Sequence, residues 1–166
     1  VETSYFEWRA AGLYDIETQG GAMHRGHNLL RRIYYGFDHE NAYLRIDTSG
    51  DLAHTVALAL QVDIASTQKL TIELPIHAPS RTMGATVYGE TANGHWAEQP
   101  SRVSASCGEI VEIKVPLAEI GCKQGLDIRL SVALYAEDKE LGRWPGWGGI
   151  TFQAPGPHYD EERWLV

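Results

Sequence analysis

Residues 31–47 carry the pattern that most restricts what this chain can fold into. Apolar residues occupy every second position on both sides of the polar segment 38–41: Ile33, Tyr35 and Phe37 before it, and Ala42, Leu44 and Ile46 after it. Because successive side chains of a strand point to opposite faces, each run predicts a strand with one apolar face. Asp and Asn in the intervening segment favour a turn. The stretch therefore predicts a β-hairpin that covers a core on one side.

The same alternation recurs along the rest of the chain, with turn signals between the runs. The clearest further runs cover residues 56–64, 69–76, 110–115 and 126–134. No long helical pattern is present, and residues 116–121 predict only one helical turn. About ten short strands predict an all-β fold, an antiparallel β-sandwich of two packed sheets with a jelly-roll-like order, in a single domain over residues 1–166. The residues predicted to form its core are Ile33, Tyr35, Phe37, Leu44, Ile46, Leu58, Leu60, Ile72, Ile113, Ile128 and Leu130.

The balance of charged residues argues against one large class of partners. The 166 residues include 14 Lys and Arg against 22 Asp and Glu, a formal net charge of -8 at pH 7. Nucleic-acid backbones recruit Lys and Arg, so this balance disfavours nucleic-acid binding and suits an uncharged polymer. No apolar run approaches the length of a transmembrane helix, and we expect no membrane partner. No signal-peptide pattern opens the chain, and we expect an excised domain of a longer protein or a processed product. The missing signal does not fix the location of the parent protein, for which we favour the cytoplasm.

Several motifs carry a resemblance to a known family. They are GAMHR at residues 21–25, IYYGFD at 33–38 and AYLRID at 42–47, and the similarity resumes at residues 109–117 and 140–145. These motifs resemble the C-terminal β-domain appended to many glycoside hydrolases of family 57. That domain belongs to a wider group with family 9 carbohydrate-binding modules, the C-terminal domain of glucodextranase and DOMON domains. The resemblance, which covers most of the chain, implies a two-sheet sandwich appended to an α-glucan-active enzyme. Its implied partners are an oligo- or polysaccharide, an α-glucan above all, and the catalytic domain of the parent enzyme.

Aromatic side chains in loops are the residues that point to a sugar ligand. The chain contains five Trp and eight Tyr, whose rings can stack on the apolar faces of sugar rings. Trp144 and Trp147 lie in a predicted Gly/Pro-rich loop at residues 142–149, and Trp96 lies in a predicted loop that contains an Asn-Gly turn signal. Trp144 has two interpretations, a sugar platform or a lid packed on the sandwich. The predicted carbohydrate-binding residues are Trp144, Trp147, Trp96, His24 and Arg25.

Acidic residues and cysteines suggest structural roles. Asp47, Asp51 and Asp63 can supply the oxygen ligands that calcium prefers, and modules related to the resembled family often carry calcium. We therefore predict a structural calcium site that includes Asp47 and Asp51. Cys107 and Cys122 are interpreted as two small buried thiols, with a single bridge between them as the alternative.

The sequence offers little support for chemistry beyond binding. His24 and His27 are three residues apart, but no further Cys or His cluster nearby completes a zinc site. DOMON relatives include haem binders that use Met and His, yet Met23 and His24 are consecutive and would face opposite sides of a strand. No nucleophile elbow or phosphate loop is present, so we expect a non-catalytic domain. The alternatives to sugar binding are a structural domain that packs on the parent enzyme's catalytic domain, and a DOMON-like haem binder.

Overall fold

A computed structural model of the chain has an all-β fold of two antiparallel sheets, as the alternation predicts. The structure describes residues 11–19, 29–48, 58–76, 85–108, 110–136, 139–154 and 156. The smaller sheet contains β1 (Gly12–Asp15), β2 (Leu30–Phe37), β3 (Asn41–Thr48), β8 (Ser104–Cys107) and β9 (Ile110–Pro116). The larger sheet contains β4 (Leu58–Ala65), β5 (Lys69–Ile76), β6 (Thr86–Glu90), β7 (Trp96–Glu98), β10 (Asp127–Ala136), β11 (Lys139–Trp144) and β12 (Ile150–Gln153). A four-residue helix, α1 (Ile16–Gln19), follows β1.

The order of the strands gives β10 three neighbours in the larger sheet. The strand order is β1-β2-β3-β9-β8 in the five-stranded sheet and β11-β10-β4-β5-β6-β7 in the seven-stranded sheet. Strand β10 pairs with β4 along one edge and with β11 and β12 along the other. The loop between β11 and β12 therefore lies beside β10. Within the described ranges, no helix reaches the length and apolarity needed to cross a membrane.

Buried side chains from both sheets form one apolar cluster, which makes the fold a β-sandwich. The predicted core positions that the structure confirms are Ile33, Leu44, Ile46, Ile72, Ile113, Ile128 and Leu130. Tyr35 and Phe37 are only half-buried, and their ring centroids lie 5.0 and 5.9 Å from that of Phe152. The side chains of Leu58 and Leu60, also predicted to be core, lie outside the described part of the structure.

Two local predictions are corrected. Residues 117–120 form a turn rather than a helix. The short helix occurs at α1 instead, where Oδ1 of Asp15 accepts a hydrogen bond from the Thr18 amide at 3.1 Å and so satisfies one of the unpaired amides of a helix start. Cys107 and Cys122 are both free, half-buried thiols, so the alternative of a bridge between them is wrong.

The predicted β2–β3 hairpin is confirmed, and Asp38 holds its turn. Oδ1 of Asp38 accepts hydrogen bonds from the amides of Glu40 and Asn41 at 2.8 and 2.7 Å, and Oδ2 accepts one from the Tyr43 hydroxyl at 2.7 Å. Burial acts to raise the pKa of the Asp38 carboxyl, but these hydrogen bonds outweigh it and lower that pKa. Burial and the bond to Asp38 raise the pKa of Tyr43 to about 12.

We expect Asp38→Asn to destabilise the fold at neutral pH and to lose that effect in acid. Since the folded state lowers the pKa of Asp38, its contribution is present above the unfolded value of about 4 and disappears as pH falls through the lower native value. The neutral-pH loss should be about 1 kcal/mol, because the bonds are charge-assisted but partly exposed. Urea unfolding of both proteins between about pH 7 and pH 3 measures the difference.

The matched control for this prediction is Asp127→Asn, which changes an exposed carboxylate at the start of β10. A similar pH-dependent loss in that variant would show that the effect does not come from the β2–β3 turn.

Candidate binding groove on the seven-stranded sheet

The outward face of the seven-stranded sheet carries a groove of about 560 Å³, a volume within the usual range of ligand sites. Strand pairing places Ser131, Asp63, Thr71 and Tyr88 side by side across β10, β4, β5 and β6. These positions alternate with buried residues along each strand, so they share the outward face. We call this cavity the sheet groove, and its lining includes Asp63, Thr71, Tyr88, Trp96, Arg129 and Ser131.

Two aromatic side chains lie at the β7 side of the sheet groove. Trp96 opens β7, pairs with Glu90 of β6, and has 48% of its surface exposed. Tyr88 lies two residues before Glu90 on the same strand, so its side chain shares the face of Trp96. The two rings give this side of the groove an apolar surface on which a flat ligand face can stack.

Trp147 lies on the opposite side, in the loop that joins β11 to β12. It is 94% exposed, the highest value among the large apolar side chains that the structure describes. Gly148 lines the groove and has a φ of 71°, a conformation that favours glycine. A Cβ atom at Gly149 would lie 2.5 Å from Cγ of Arg129, so only glycine lets the loop lie directly against that side chain. The loop thereby brings Trp147 to the β10 edge of the groove.

The strand order sets the distance between the two sides. Three strands, β4, β5 and β6, separate β10 from β7. Four interstrand steps of about 4.8 Å place the two sides about 19 Å apart. The groove therefore has room for a short oligomer rather than a single ring.

Asp63 occupies the floor of the groove, and Thr71 and Arg143 are among the partners that hold it in place. Oδ1 accepts a hydrogen bond from the Thr71 hydroxyl at 2.8 Å, and Oδ2 accepts one from Nη1 of Arg143 at 2.9 Å. The Asp63 side chain keeps 34% of its surface exposed. A carboxylate fixed on a central strand and still open to solvent is a preorganised hydrogen-bond acceptor.

Arg143 is itself anchored by two neighbours on β10 and β11. Its Nη2 donates to Oε2 of Glu140 at 2.9 Å and to the Tyr135 hydroxyl at 3.2 Å, and that hydroxyl donates to Oε2 of Glu140 at 2.9 Å. The hydrogen bond to Glu140, with that to Asp63, raises the pKa of the Arg143 guanidinium further above its ordinary value. Hydrogen bonds from Arg143 and Tyr135 lower the pKa of Glu140. Arg143 thus stays charged and holds the Asp63 carboxylate in one orientation.

Charges in the groove are balanced. Its charged lining residues are Asp63, Glu73, Lys69 and Arg129, two of each sign. Nζ of Lys69 also lies 2.8 Å from Oε2 of Glu90 on the neighbouring strand. The lining therefore offers hydrogen-bond donors and acceptors, and its formal charges sum to zero. Such a lining suits an uncharged ligand that is rich in hydroxyl groups.

A larger cavity, of about 940 Å³, lies at the end of the sandwich near the β2–β3 turn. Its lining includes Asn41, Lys114, Pro116 and Leu117, and its described part contains no Trp, Tyr or Phe. It therefore lacks a stacking surface, and the smaller sheet groove is the better candidate for a sugar site.

The structure separates the predicted carbohydrate-binding residues into three groups. Trp96 is exposed and lines the sheet groove, and Trp147 is exposed in the loop whose Gly148 lines it. Trp144 was predicted to lie in a loop, and this is wrong: it ends β11, pairs with buried Val132 and packs against the core. The β10–β11 pairing extends the strand three residues into the segment whose Gly and Pro suggested a loop, and Trp144 packs on the core as the lid interpretation predicts. His24 and Arg25 lie outside the described residues.

The predicted calcium ligands are not brought together in the described part of the structure. Asp47 lies on β3 of the smaller sheet, where its Oδ1 is 2.7 Å from Nε of Arg45, whereas Asp63 lies on the larger sheet. Asp51 lies outside the described residues. No group of three or more His, Cys, Asp and Glu side chains among the described residues could hold a metal ion.

Sequence reasoning missed the floor of the groove. Thr71, Tyr88, Arg129 and Ser131 each alternate with apolar residues, so the sequence indicates that they face solvent. It does not indicate that β4 lies between β10 and β5, and this strand order is what brings the four residues together around Asp63.

Comparisons with models of protein families, with curated proteins and with solved structures found no match to this chain.

Proposed function

We propose that this chain is a non-catalytic carbohydrate-binding domain that holds a glucan chain in the sheet groove. The observation that carries the proposal is an open groove that is lined by exposed Trp96 and has a fixed carboxylate, Asp63, in its floor. The loop that carries exposed Trp147 borders this groove through Gly148. Sugar rings present apolar C–H faces and hydroxyl edges, so their recognition needs aromatic platforms together with oriented acceptors and donors.

The span of the groove supports an oligosaccharide or polysaccharide rather than a monosaccharide. One ring would stack on Trp96 near β7, another would stack on Trp147 near β10, and the sugar units between them would lie over Asp63. In this proposal the binding energy concentrates on the two tryptophans, as it does at other interfaces with exposed aromatic anchors.

The resemblance in the sequence makes an α-glucan the first ligand to test, with an α-glucan-active glycoside hydrolase as the parent enzyme. In that setting the domain would keep the catalytic domain close to its polymer, which raises the effective substrate concentration without new catalytic contacts.

Affinity electrophoresis tests the proposal directly. The purified chain is run in native gels that contain starch, glycogen, pullulan or β-glucans, with bovine serum albumin as the reference protein. We expect retardation in at least one α-glucan gel that depends on polymer concentration. If no glucan retards the chain, the proposal fails, and a structural domain that packs on the parent's catalytic domain becomes the better hypothesis.

A further inference from the structure

The cavity of about 940 Å³ near the β2–β3 turn, here called the end cavity, has a charge opposite to that of the whole chain. The chain carries a formal net charge of -8, yet the described lining of the end cavity holds three cations, Arg102, Lys114 and Lys123, against one anion, Glu40. With His39 neutral, this lining has a formal charge of +2. A cavity lined by an excess of one sign of charge attracts ligands of the other sign, here anions.

Two of these cations have no carboxylate beside them. Lys114 alternates with buried Ile113 and Val115 on β9, so its side chain points outward, and its Nζ lies 5.9 Å from the centroid of the Tyr43 ring. Within the part of the chain that the structure describes, neither Lys114 nor Lys123 forms an ion pair with Asp or Glu. Their charges are therefore uncompensated at the end cavity.

Arg102 adds a guanidinium on a fixed backbone. Its amide donates to Oε1 of Glu119 at 2.7 Å, and the Ser101 hydroxyl donates to Oε2 of the same carboxylate. Nε of Arg102 lies 3.6 Å from Oε1, an ion-pair contact longer than a hydrogen bond, and the side chain keeps 76% of its surface exposed. An open guanidinium can donate to two oxygens of one phosphate group.

The end cavity also has an apolar part. Buried Pro116 and Leu117 line it together with Ala118 and Ala154. Its volume of about 940 Å³ lies in the usual range for sites that hold small organic molecules, so a phosphate group would leave room for an organic part.

We propose that the end cavity is a second binding site, which takes a phosphate group as the free ion or as the monoester of a small organic molecule. Lys114 and Lys123 supply positive charge, and Arg102 supplies paired hydrogen-bond donors. The site is independent of the proposed glucan site, because the described linings of the end cavity and the sheet groove share no residue.

Cys122 is a natural reporter for this site, because it is a free, half-buried thiol in the lining of the end cavity. Cys107 is the internal control, since it is also free and half-buried but ends β8 outside that described lining. The whole chain is treated with iodoacetamide, and mass spectrometry of the two cysteine peptides gives the two alkylation rates. The additions are inorganic phosphate, phenyl phosphate, phenol, and sodium chloride at equal ionic strength.

We expect either phosphate probe to protect Cys122 and not Cys107. At about ten times its dissociation constant, a probe leaves about one site in eleven open, so alkylation of Cys122 should slow about tenfold. Phenol and sodium chloride should leave both rates unchanged. Phosphorus NMR of the two phosphate probes gives a second measurement of binding that does not depend on the reactivity of Cys122.

Substitutions connect this protection to the cations. The double variant Lys114→Gln and Lys123→Gln should raise the phosphate concentration for half-protection at least about tenfold, the effect of losing charge-assisted hydrogen bonds. The matched control is Lys139→Gln, which removes the same charge from an exposed position on β11 and should leave protection unchanged. Circular dichroism of each variant checks that the sandwich is intact.

Each outcome supports the proposal or overturns it. Equal slowing of Cys107 and Cys122, or equal slowing by sodium chloride, would reduce the effect to ionic strength and overturn the site. Full protection in the double variant, or the absence of both protection and phosphorus line broadening, would also overturn it. Protection at lower concentrations of phenyl phosphate than of inorganic phosphate would identify an organic monoester as the ligand, whereas equal concentrations would identify the free ion.

Discussion

Ile128→Ala is expected to lower the free energy of unfolding by about 2–5 kcal/mol, the usual range for truncating a buried aliphatic side chain. Ile128 is 0% exposed and lies on β10, which pairs with β4, β11 and β12. Removing its side chain leaves a cavity in the apolar cluster between the two sheets. Urea unfolding followed by tryptophan fluorescence measures the loss, and each kcal/mol should lower the melting temperature by about 2–4 °C.

Leu126→Ala is the matched control for Ile128→Ala. Leu126 is an aliphatic residue two positions earlier that keeps 37% of its surface exposed. Its truncation should cost less than about 1 kcal/mol. If Leu126→Ala destabilises the chain as much as Ile128→Ala, the loss does not come from the burial of Ile128.

Alternation predicted seven residues that the structure places in the core. Ile33, Leu44, Ile72 and Ile128 all lie at predicted core positions, because the period of two along a strand is a local property. The aromatic positions Tyr35 and Phe37 of β2 were harder to assign. Tyr35 is only half-buried, since its ring packs beside Phe152 near β12 rather than deep between the sheets.

The order of strands in a sheet is not a local property, and this is why the groove could not be predicted. Asp63 and Thr71 are neighbours in a hairpin, which the sequence suggests, but Ser131 joins them through the pairing of β10 with β4. Arg143 reaches Asp63 over 80 residues of sequence separation. Such contacts depend on the order of strands in the whole sheet, whereas the strand propensity of a segment depends only on residues close to it in sequence.

Trp144 and Trp147 show how one motif can contain two different roles. Both belong to the same Gly/Pro-rich stretch, and composition alone cannot distinguish them. The β10–β11 pairing extends as far as Trp144 and turns its ring toward the core, whereas Trp147 follows the end of that pairing and stays in solvent. Only Trp147 can therefore be removed without disturbing the packing of the sandwich.

Trp147→Ala should weaken glucan binding at least about tenfold, because exposed aromatic anchors carry a large share of binding energy. With 94% of its surface exposed, Trp147 contributes little to packing, and the melting temperature should be nearly unchanged. Trp96→Ala should also weaken binding, because its ring forms the other side of the groove. Affinity electrophoresis and isothermal titration measure binding, and thermal unfolding measures stability on the same samples.

The control for loss of an exposed apolar side chain is Leu13→Ala. Leu13 is 48% exposed on β1 of the smaller sheet, whereas the groove lies on the larger sheet. Truncation of Leu13 should therefore leave binding unchanged. Trp144→Ala provides the opposite contrast, since it should lower the melting temperature by removing a ring that packs on the core.

Unchanged glucan binding by Trp147→Ala would exclude the β11–β12 loop from the site. Unchanged binding by both Trp147→Ala and Trp96→Ala would exclude stacking on tryptophan in the sheet groove, because Trp96 is the only tryptophan among the described residues that line it.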